Sequence, residues 1–93
     1  MTDITAIAAT VSGRVHGVGF RVSTQRAAAN LGLAGWVRNC PDGAVETLIH
    51  GPDEAVKQMV AWLKHGPPAA VVSRIQVTPA DGEALTSGFK ITH

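Results

Sequence analysis

The segment that most constrains the fold is a glycine-rich stretch, residues 13–21, which reads Gly-Arg-Val-His-Gly-Val-Gly-Phe-Arg. A run rich in Ile, Val, Thr and Ala precedes it and predicts a strand over residues 4–12. Apolar residues at helical spacing follow it and predict a helix over residues 20–32, closed by Gly32. Where a strand, a glycine loop and a helix meet in this way, successive backbone N–H groups can surround one oxyanion.

Arg21 strengthens the interpretation of this loop as an anion site. A cation in the first turn of a helix opposes the positive end of the helix dipole, at a cost of roughly 0.3–1 kcal/mol unless an anion lies between them. Arginine also presents a planar fork of donors that matches phosphate. No acidic residue occurs over residues 4–41, so the first part of the chain attracts anions. A glycine-rich turn alone is nevertheless a weak signal, and this one matches neither the Walker nor the dinucleotide-binding pattern.

The middle of the chain predicts a hairpin and a second helix. Two short apolar strands, over residues 33–39 and 44–49, are joined by a turn in which Pro41 presets its own φ and Gly43 accepts a left-handed conformation. An amphipathic helix is predicted over residues 53–65, with acidic residues at its start and basic residues at its end, as the helix dipole favours.

The last part predicts a strand over residues 71–78, a loop over residues 79–88 and a short closing strand over residues 89–92. The order β-α-β-β-α-β with an added terminal strand predicts the ferredoxin-like α+β fold, a sandwich of one antiparallel or mixed sheet with two helices on one face. A chain of 93 residues is expected to form a single domain over residues 1–93. The predicted core contains the largest apolar residues: Phe20, Trp36, Met59, Trp62 and Phe89.

This topology predicts that two distant segments meet. A crossover through the first helix makes the first two strands parallel, so their carboxyl ends lie at one edge of the sheet, where ligands of open α/β sheets bind. Residues 13–21 leave the first strand and Asn39 ends the second, so both are expected at one pocket. Taken alone, an asparagine before a turn is also the residue type of an ordinary turn.

Composition restricts the other classes of function. A net charge of +1 and few aromatic residues argue against a nucleic-acid binder. The single cysteine, Cys40, excludes an intrachain disulfide and suits a reducing cytoplasm. The histidines lack the spacing of metal ligands, so no metal is expected. The N-terminal apolar run is too short for a signal sequence or a membrane span.

Together with residues 35–45, the glycine loop resembles the acylphosphatase family. The first family motif is Gly-x-Val-x-Gly-Val-x-Phe-Arg, and residues 13–21 fill each fixed position. The second is Gly-aromatic-small-x-Asn-x-x-x-Gly-x-Val with a glycine six residues later, which residues 35–45 and Gly51 fill. The resemblance implies a small cytoplasmic, monomeric hydrolase of acyl phosphates such as acetyl phosphate, carbamoyl phosphate or 1,3-bisphosphoglycerate. It implies no metal, no cofactor, and no nucleic-acid or membrane partner.

The resemblance also implies roles for individual residues. Arg21 matches the arginine that binds the phosphoryl group, and Asn39 matches the asparagine that orients the attacking water. The loop amides that would hold the phosphate are those of Val15, His16, Gly17, Val18 and Gly19. The side chains of His16, Arg14 and Arg38 are expected to be exposed, the two arginines as solvated charges.

The chain departs from the family pattern at three places. Cys40 follows the asparagine where a small hydroxyl residue is common, which predicts weaker hydrogen bonding around Asn39 and sensitivity to thiol reagents. Ser12 precedes the loop where histidine is common, and the sequence ends without the frequent terminal tyrosine.

Three alternative functions stay open at this stage. The main one is a non-catalytic ferredoxin-like module that binds an anion with the same loop, although such a module has no need of a water-orienting Asn39. A second is a carbamoyl-handling domain of the kind found in large hydrogenase-maturation proteins, for whose partner domains this chain leaves no room. The third, an RNA-binding module, is compatible with the fold alone.

Overall fold

A computed structural model of the chain describes residues 3–80 and 88–92. The elements in chain order are β1 (Ile4–Arg14), α1 (Phe20–Asn30), β2 (Ala34–Asn39), β3 (Val45–Pro52), α2 (Asp53–Leu63), β4 (Val71–Pro79) and β5 (Phe89–Ile91). The predicted order of strands and helices is confirmed. Most of the predicted loop over residues 79–88 lies outside the described residues, and Pro79 belongs to β4.

The five strands form one mixed sheet in the order β4-β1-β3-β2-β5. Both β1 and β2 pair antiparallel with β3, which lies between them, so β1 and β2 run parallel to each other. On the two sides, β4 pairs antiparallel with β1 and β5 pairs parallel with β2. The ferredoxin-like α+β fold is therefore confirmed, and the carboxyl ends of β1 and β2 lie at one edge of the sheet.

The core lies between the helices and one face of the sheet. α1 packs against β2 and β5, whereas α2 packs against β1 and β3. Side chains along β3 alternate between buried and half-buried, as expected for a strand with one covered face. Phe20, Met59 and Phe89 are buried as predicted. Trp62 packs against this core, with its ring centroid 5.7 Å from that of Phe20.

The prediction that Trp36 belongs to the core is wrong. Gly35 and Val37 are buried on the face that the helices cover, so Trp36 between them points to the other face. There the Arg38 guanidinium carbon lies 5.1 Å from the centroid of the Trp36 ring. Arg38 Nε also donates to a Glu46 carboxylate oxygen at 2.9 Å. Arg38 is exposed as predicted. Its guanidinium group, however, forms an ion pair with Glu46 and lies over the ring of Trp36.

Tertiary pairing sets several boundaries that differ from the predicted ones. β1 continues to Arg14 because Gly13 and Arg14 pair with β4 after a register shift at Ser12. α1 ends at Asn30, and Gly32, with φ of 70°, takes the left-handed conformation that ends the helix. The other elements differ from the predicted ones by a few residues at their ends.

Gly35 is the glycine at which a side chain is expected to be least tolerated. Its φ is 141°, and a Cβ atom there would stand 1.8 Å from the carbonyl oxygen of Leu48 in β3. Gly35→Ala therefore has to displace paired backbone, and we expect it to lower the free energy of unfolding by about 3 kcal/mol. Urea denaturation followed by tryptophan fluorescence measures this change.

Gly32→Ala is the matched control for this experiment. Gly32 also has a positive φ, but no atom lies within 4 Å of an added Cβ, so this variant reports backbone strain alone. Equal losses of stability in the two variants would contradict the expected clash.

Candidate active site

The glycine loop and the end of β2 enclose a small cavity at the N-terminus of α1. Its volume is about 130 Å³. The residues that line it are Val15, Gly17, Gly19, Phe20, Arg21, Val22 and Asn39. The structure thus brings Arg21 and Asn39 to one cavity, whereas His16 and Val18 are not among its lining residues.

The backbone of the loop keeps its N–H groups available. Gly17 and Gly19 have φ values of 72° and 74°, in the left-handed region that glycine adopts without strain. Within residues 3–80 and 88–92, no N–H group from Val15 to Gly19 donates to a main-chain carbonyl. Backbone N–H groups in a folded protein need a partner, so these groups are free to donate to water or to an anion.

α1 begins without a side-chain cap. Gly19 occupies the position before its first turn, no side chain there hydrogen-bonds to the helix, and the fully described first turn contains no acidic residue. Uncapped N–H groups and the helix dipole together give this end of the helix a positive potential. Glycine at this position costs only about a few tenths of a kcal/mol relative to a side chain that caps the helix. A bound anion can satisfy the N–H groups that remain uncapped.

Arg21 is half-buried in this first turn. The ion pairs of the described residues are Arg38 with Glu46 and Lys57 with Asp53, so no described carboxylate neutralises Arg21. A guanidinium group at the positive end of a helix without a carboxylate partner is energetically unfavourable until an anion arrives. Its position is therefore typical of a ligand-binding arginine.

Asn39 does not act as an ordinary turn residue. The turn after it is closed by other groups, because the Cys40 N–H donates to the Ala44 carbonyl at 2.8 Å and the Gly43 N–H donates to the Cys40 carbonyl at 3.1 Å. The Asp42 carboxylate accepts the Ala44 N–H at 3.0 Å. The half-buried Asn39 side chain makes no hydrogen bond to another described residue, so its amide is available to the cavity.

The thiol of Cys40, next to Asn39, is not an activated one. Burial raises the pKa of this thiol, the carboxylates of Glu46 and Asp42 raise it further, and Arg38 opposes them. A raised pKa lowers the thiolate fraction at neutral pH, and the thiolate is the reactive form. The local electrostatics therefore oppose the sensitivity to thiol reagents expected from the sequence.

Sequence reasoning missed two contributors to this region. Val22 lines the cavity although half of its side chain is exposed, and an exposed valine on a helix carries no distinguishing sequence signal. Ala44 contributes its carbonyl oxygen, which accepts a hydrogen bond from the ring of His16. A main-chain acceptor of this kind is invisible in a sequence because every residue supplies one.

A larger cavity of about 270 Å³ lies between α1 and the segment that follows α2. None of the predicted site residues lines it, and for this reason we assign the site to the smaller cavity.

The described ranges contain no group of three or more His, Cys, Asp or Glu side chains arranged to hold a metal ion. In these ranges, neither helix has the length and hydropathy required for a membrane span.

Comparisons with known proteins agree with this geometry. The family model for acylphosphatase matches residues 7–91. The acylphosphatase of Thiobacillus denitrificans is 52% identical over 80 residues, covering 86% of this chain and 88% of that protein. Acylphosphatase 2 of Ralstonia nicotianae is 45% identical over 91 residues, covering 98% and 96%. An acylphosphatase structure from Coxiella burnetii matches with a TM-score of 0.91 and 38% identity, covering 97% of this chain and 94% of that one.

The protein has an α+β ferredoxin-like fold in which the predicted site residues Arg21 and Asn39 line one cavity at an edge of the sheet. The chain belongs to the acylphosphatase family. The predicted family, fold and enzyme class are thereby confirmed: the protein is a hydrolase with acylphosphatase function. The non-catalytic alternative is not favoured.

Proposed function

We propose that the protein, as one domain over residues 1–93, hydrolyses acyl phosphates in the cavity lined by Arg21 and Asn39. The oxygen of a water molecule attacks phosphorus, the bond between phosphorus and the carboxyl oxygen breaks, and a carboxylate and inorganic phosphate leave. The observation that carries this proposal is that Arg21 and Asn39 line one cavity at the start of α1, where, among the described residues, Arg21 has no carboxylate partner and the Asn39 side chain has no hydrogen bond.

In the proposed mechanism, Arg21 and the loop amides hold the phosphoryl group. The amides are those of Val15, His16, Gly17, Val18 and Gly19. Donors that are already oriented stabilise the negative charge of the phosphoryl oxygens in the transition state without reorganising. The lack of main-chain acceptors for these N–H groups among the described residues supports this role.

Asn39 orients the attacking water in this proposal. Its side-chain carbonyl accepts a hydrogen bond from the water and holds it in line with the bond that breaks, which lowers the entropic part of the barrier. The support is that the Asn39 side chain makes no hydrogen bond within the part of the chain that the structure describes, since Asp42 and the main chain close the adjacent turn.

The leaving group explains why the site needs no general acid. A carboxylate whose conjugate acid has a pKa of about 4 departs without protonation. Among the described residues that line the cavity there is no Asp, Glu, His or Lys, which agrees with this requirement. Positioning and charge stabilisation are the contributions that the chain itself then makes.

The substrate class is small acyl phosphates in general. A cavity of about 130 Å³ is smaller than the roughly 300–1,000 Å³ of sites that enclose drug-sized ligands, so the phosphoryl group is held and the acyl group extends outward. The half-exposed Val22 is the apolar side chain that the acyl group would meet there.

We further propose that the enzyme works as a cytoplasmic monomer, without a metal ion and without a nucleic-acid or membrane partner. One cysteine and a net charge of +1 support the location and the absence of a nucleic-acid partner. The cation of Arg21 supplies the charge stabilisation that a metal would otherwise provide.

The test is the release of phosphate from benzoyl phosphate by the purified protein in the presence of a chelator. We expect turnover that the chelator leaves unchanged. Inhibition by inorganic phosphate should be competitive, because phosphate occupies the same N–H groups. A protein that binds phosphate without turnover would instead support the anion-binding module, and loss of activity with the chelator would contradict the metal-free mechanism.

A further inference from the structure

His16 lies in the phosphate loop, but its side chain leaves the loop and contacts a different segment. The ring Nε2 lies 2.8 Å from the carbonyl oxygen of Ala44, which is 28 residues away in the sequence. A carbonyl oxygen can only accept, so Nε2 carries a proton and donates it. The hydrogen bond therefore requires a histidine that is protonated at Nε2.

The acceptor belongs to the turn that directly follows Asn39. The Ala44 carbonyl also accepts the Cys40 N–H at 2.8 Å, and the Asp42 carboxylate accepts the Ala44 N–H at 3.0 Å. Asn39 itself pairs with Val45 at the end of the β2–β3 ladder. His16 is thus bonded to a turn that is closed by its own hydrogen bonds and continuous with Asn39.

Between residues 15–19 and residues 39–45, all of which the structure describes, His16 makes the one side-chain hydrogen bond. No main-chain hydrogen bond joins these two described segments. The sheet ladder joins the strands that carry the two halves of the site, since Val45 pairs with both Val11 and Asn39. Beyond that ladder, the His16 ring makes the one hydrogen bond between the described loop of the amides and the described turn after the asparagine.

We propose that His16 is a positioning residue that fixes Asn39, and hence the attacking water, relative to the bound phosphoryl group. This inference rests on the proposed function. In-line attack depends on the distance from water to phosphorus, and a misplacement of about 1 Å can lower a rate about 100-fold. In this proposal the backbone N–H of His16 donates to the phosphate, whereas its ring holds the turn that follows Asn39 in place.

The first test compares His16→Ala and His16→Gln in benzoyl phosphate hydrolysis. We expect His16→Ala to lower kcat by about 10- to 100-fold, with less than about a threefold change in the inhibition constant of inorganic phosphate. His16→Gln restores an N–H donor of similar reach and should recover most of kcat. His65→Ala is the matched control, since His65 is exposed beyond α2 and lines neither cavity.

A double-mutant cycle with Asn39→Ala tests whether His16 acts through Asn39. If it does, His16→Ala should cost little further activity once Asn39 is removed. Full additivity of the two losses, an unchanged kcat in His16→Ala, or no recovery in His16→Gln would each overturn the proposal. So would a parallel loss of phosphate affinity and kcat, because it would make the ring a support of the cradle alone.

Failure of this inference is distinguishable from failure of the proposed function. Absence of turnover in the unmodified protein would overturn the proposed function. A wild-type protein that is active and dependent on Arg21 and Asn39, but indifferent to His16→Ala, would overturn the positioning role alone. Thermal unfolding of each variant shows whether a loss of activity reflects unfolding.

Discussion

Replacing Arg21 with alanine is expected to lower kcat/KM for benzoyl phosphate by about 1,000-fold or more. The substitution removes the cation that faces the phosphoryl oxygens, and losses of this size follow the removal of a charged donor from phosphoryl-transfer sites. It should also remove most phosphate binding. Phosphate should therefore raise the thermal midpoint of the wild-type protein but not that of Arg21→Ala, since a ligand stabilises only the state that binds it.

Arg26→Ala is the matched control for this experiment. Arg26 lies on the same helix, is exposed, and lines the larger cavity instead of the candidate site. Its replacement should leave kcat/KM near the wild-type value. Arg21→Lys should recover only part of the activity, because lysine keeps the charge and loses the planar fork of donors. If Arg21→Ala bound phosphate as tightly as the wild type, the proposed role of Arg21 would be wrong.

Replacing Asn39 with alanine is expected to separate chemistry from binding. We expect kcat to fall by about 100- to 1,000-fold because the water loses its orientation. The phosphate inhibition constant should change by less than about threefold, because Arg21 and the loop amides are untouched. Steady-state kinetics with phosphate as a competitive inhibitor give both numbers from one set of assays.

The control for Asn39 is Asn30→Ala, the same change at an exposed residue that ends α1 and lines the larger cavity. It should leave kcat unchanged. Unimpaired turnover in Asn39→Ala would assign the orientation of the water to another group. A loss of phosphate affinity as large as the loss in kcat would make Asn39 a ligand of the phosphoryl group.

Much of the fold could be predicted because its signals are local. The glycines of the loop, the closing Gly32 and the Pro41–Gly43 turn act through backbone preferences that depend on the residue itself. Once the strands and helices were in order, the handedness of the crossover placed the ends of β1 and β2 at one edge of the sheet. That rule alone predicts that residues 13–21 and Asn39 lie close together.

The environment of Trp36 could not be predicted from the sequence. Two adjacent residues of β2, Trp36 and Val37, are both apolar, and a period of two assigns them to opposite faces without saying which face is covered. Packing against α1 determines which face of β2 is covered. Val37 is buried on that face, and Trp36 lies under Arg38 on the other face. The extension of β1 to Arg14 was likewise hidden, because it depends on pairing with β4.

Residue types and their spacing were sufficient to predict the family, the order of the elements and the two motifs that form the site. The contacts that hold the site together form only in the folded chain. Asp42 and the main chain close the turn, so the Asn39 side chain has no hydrogen bond to another described residue. The ring of His16 reaches a carbonyl oxygen 28 residues away. Local backbone preferences depend on residue type and can be predicted from the sequence. A hydrogen bond to a main-chain carbonyl instead depends on which atoms the fold brings within reach.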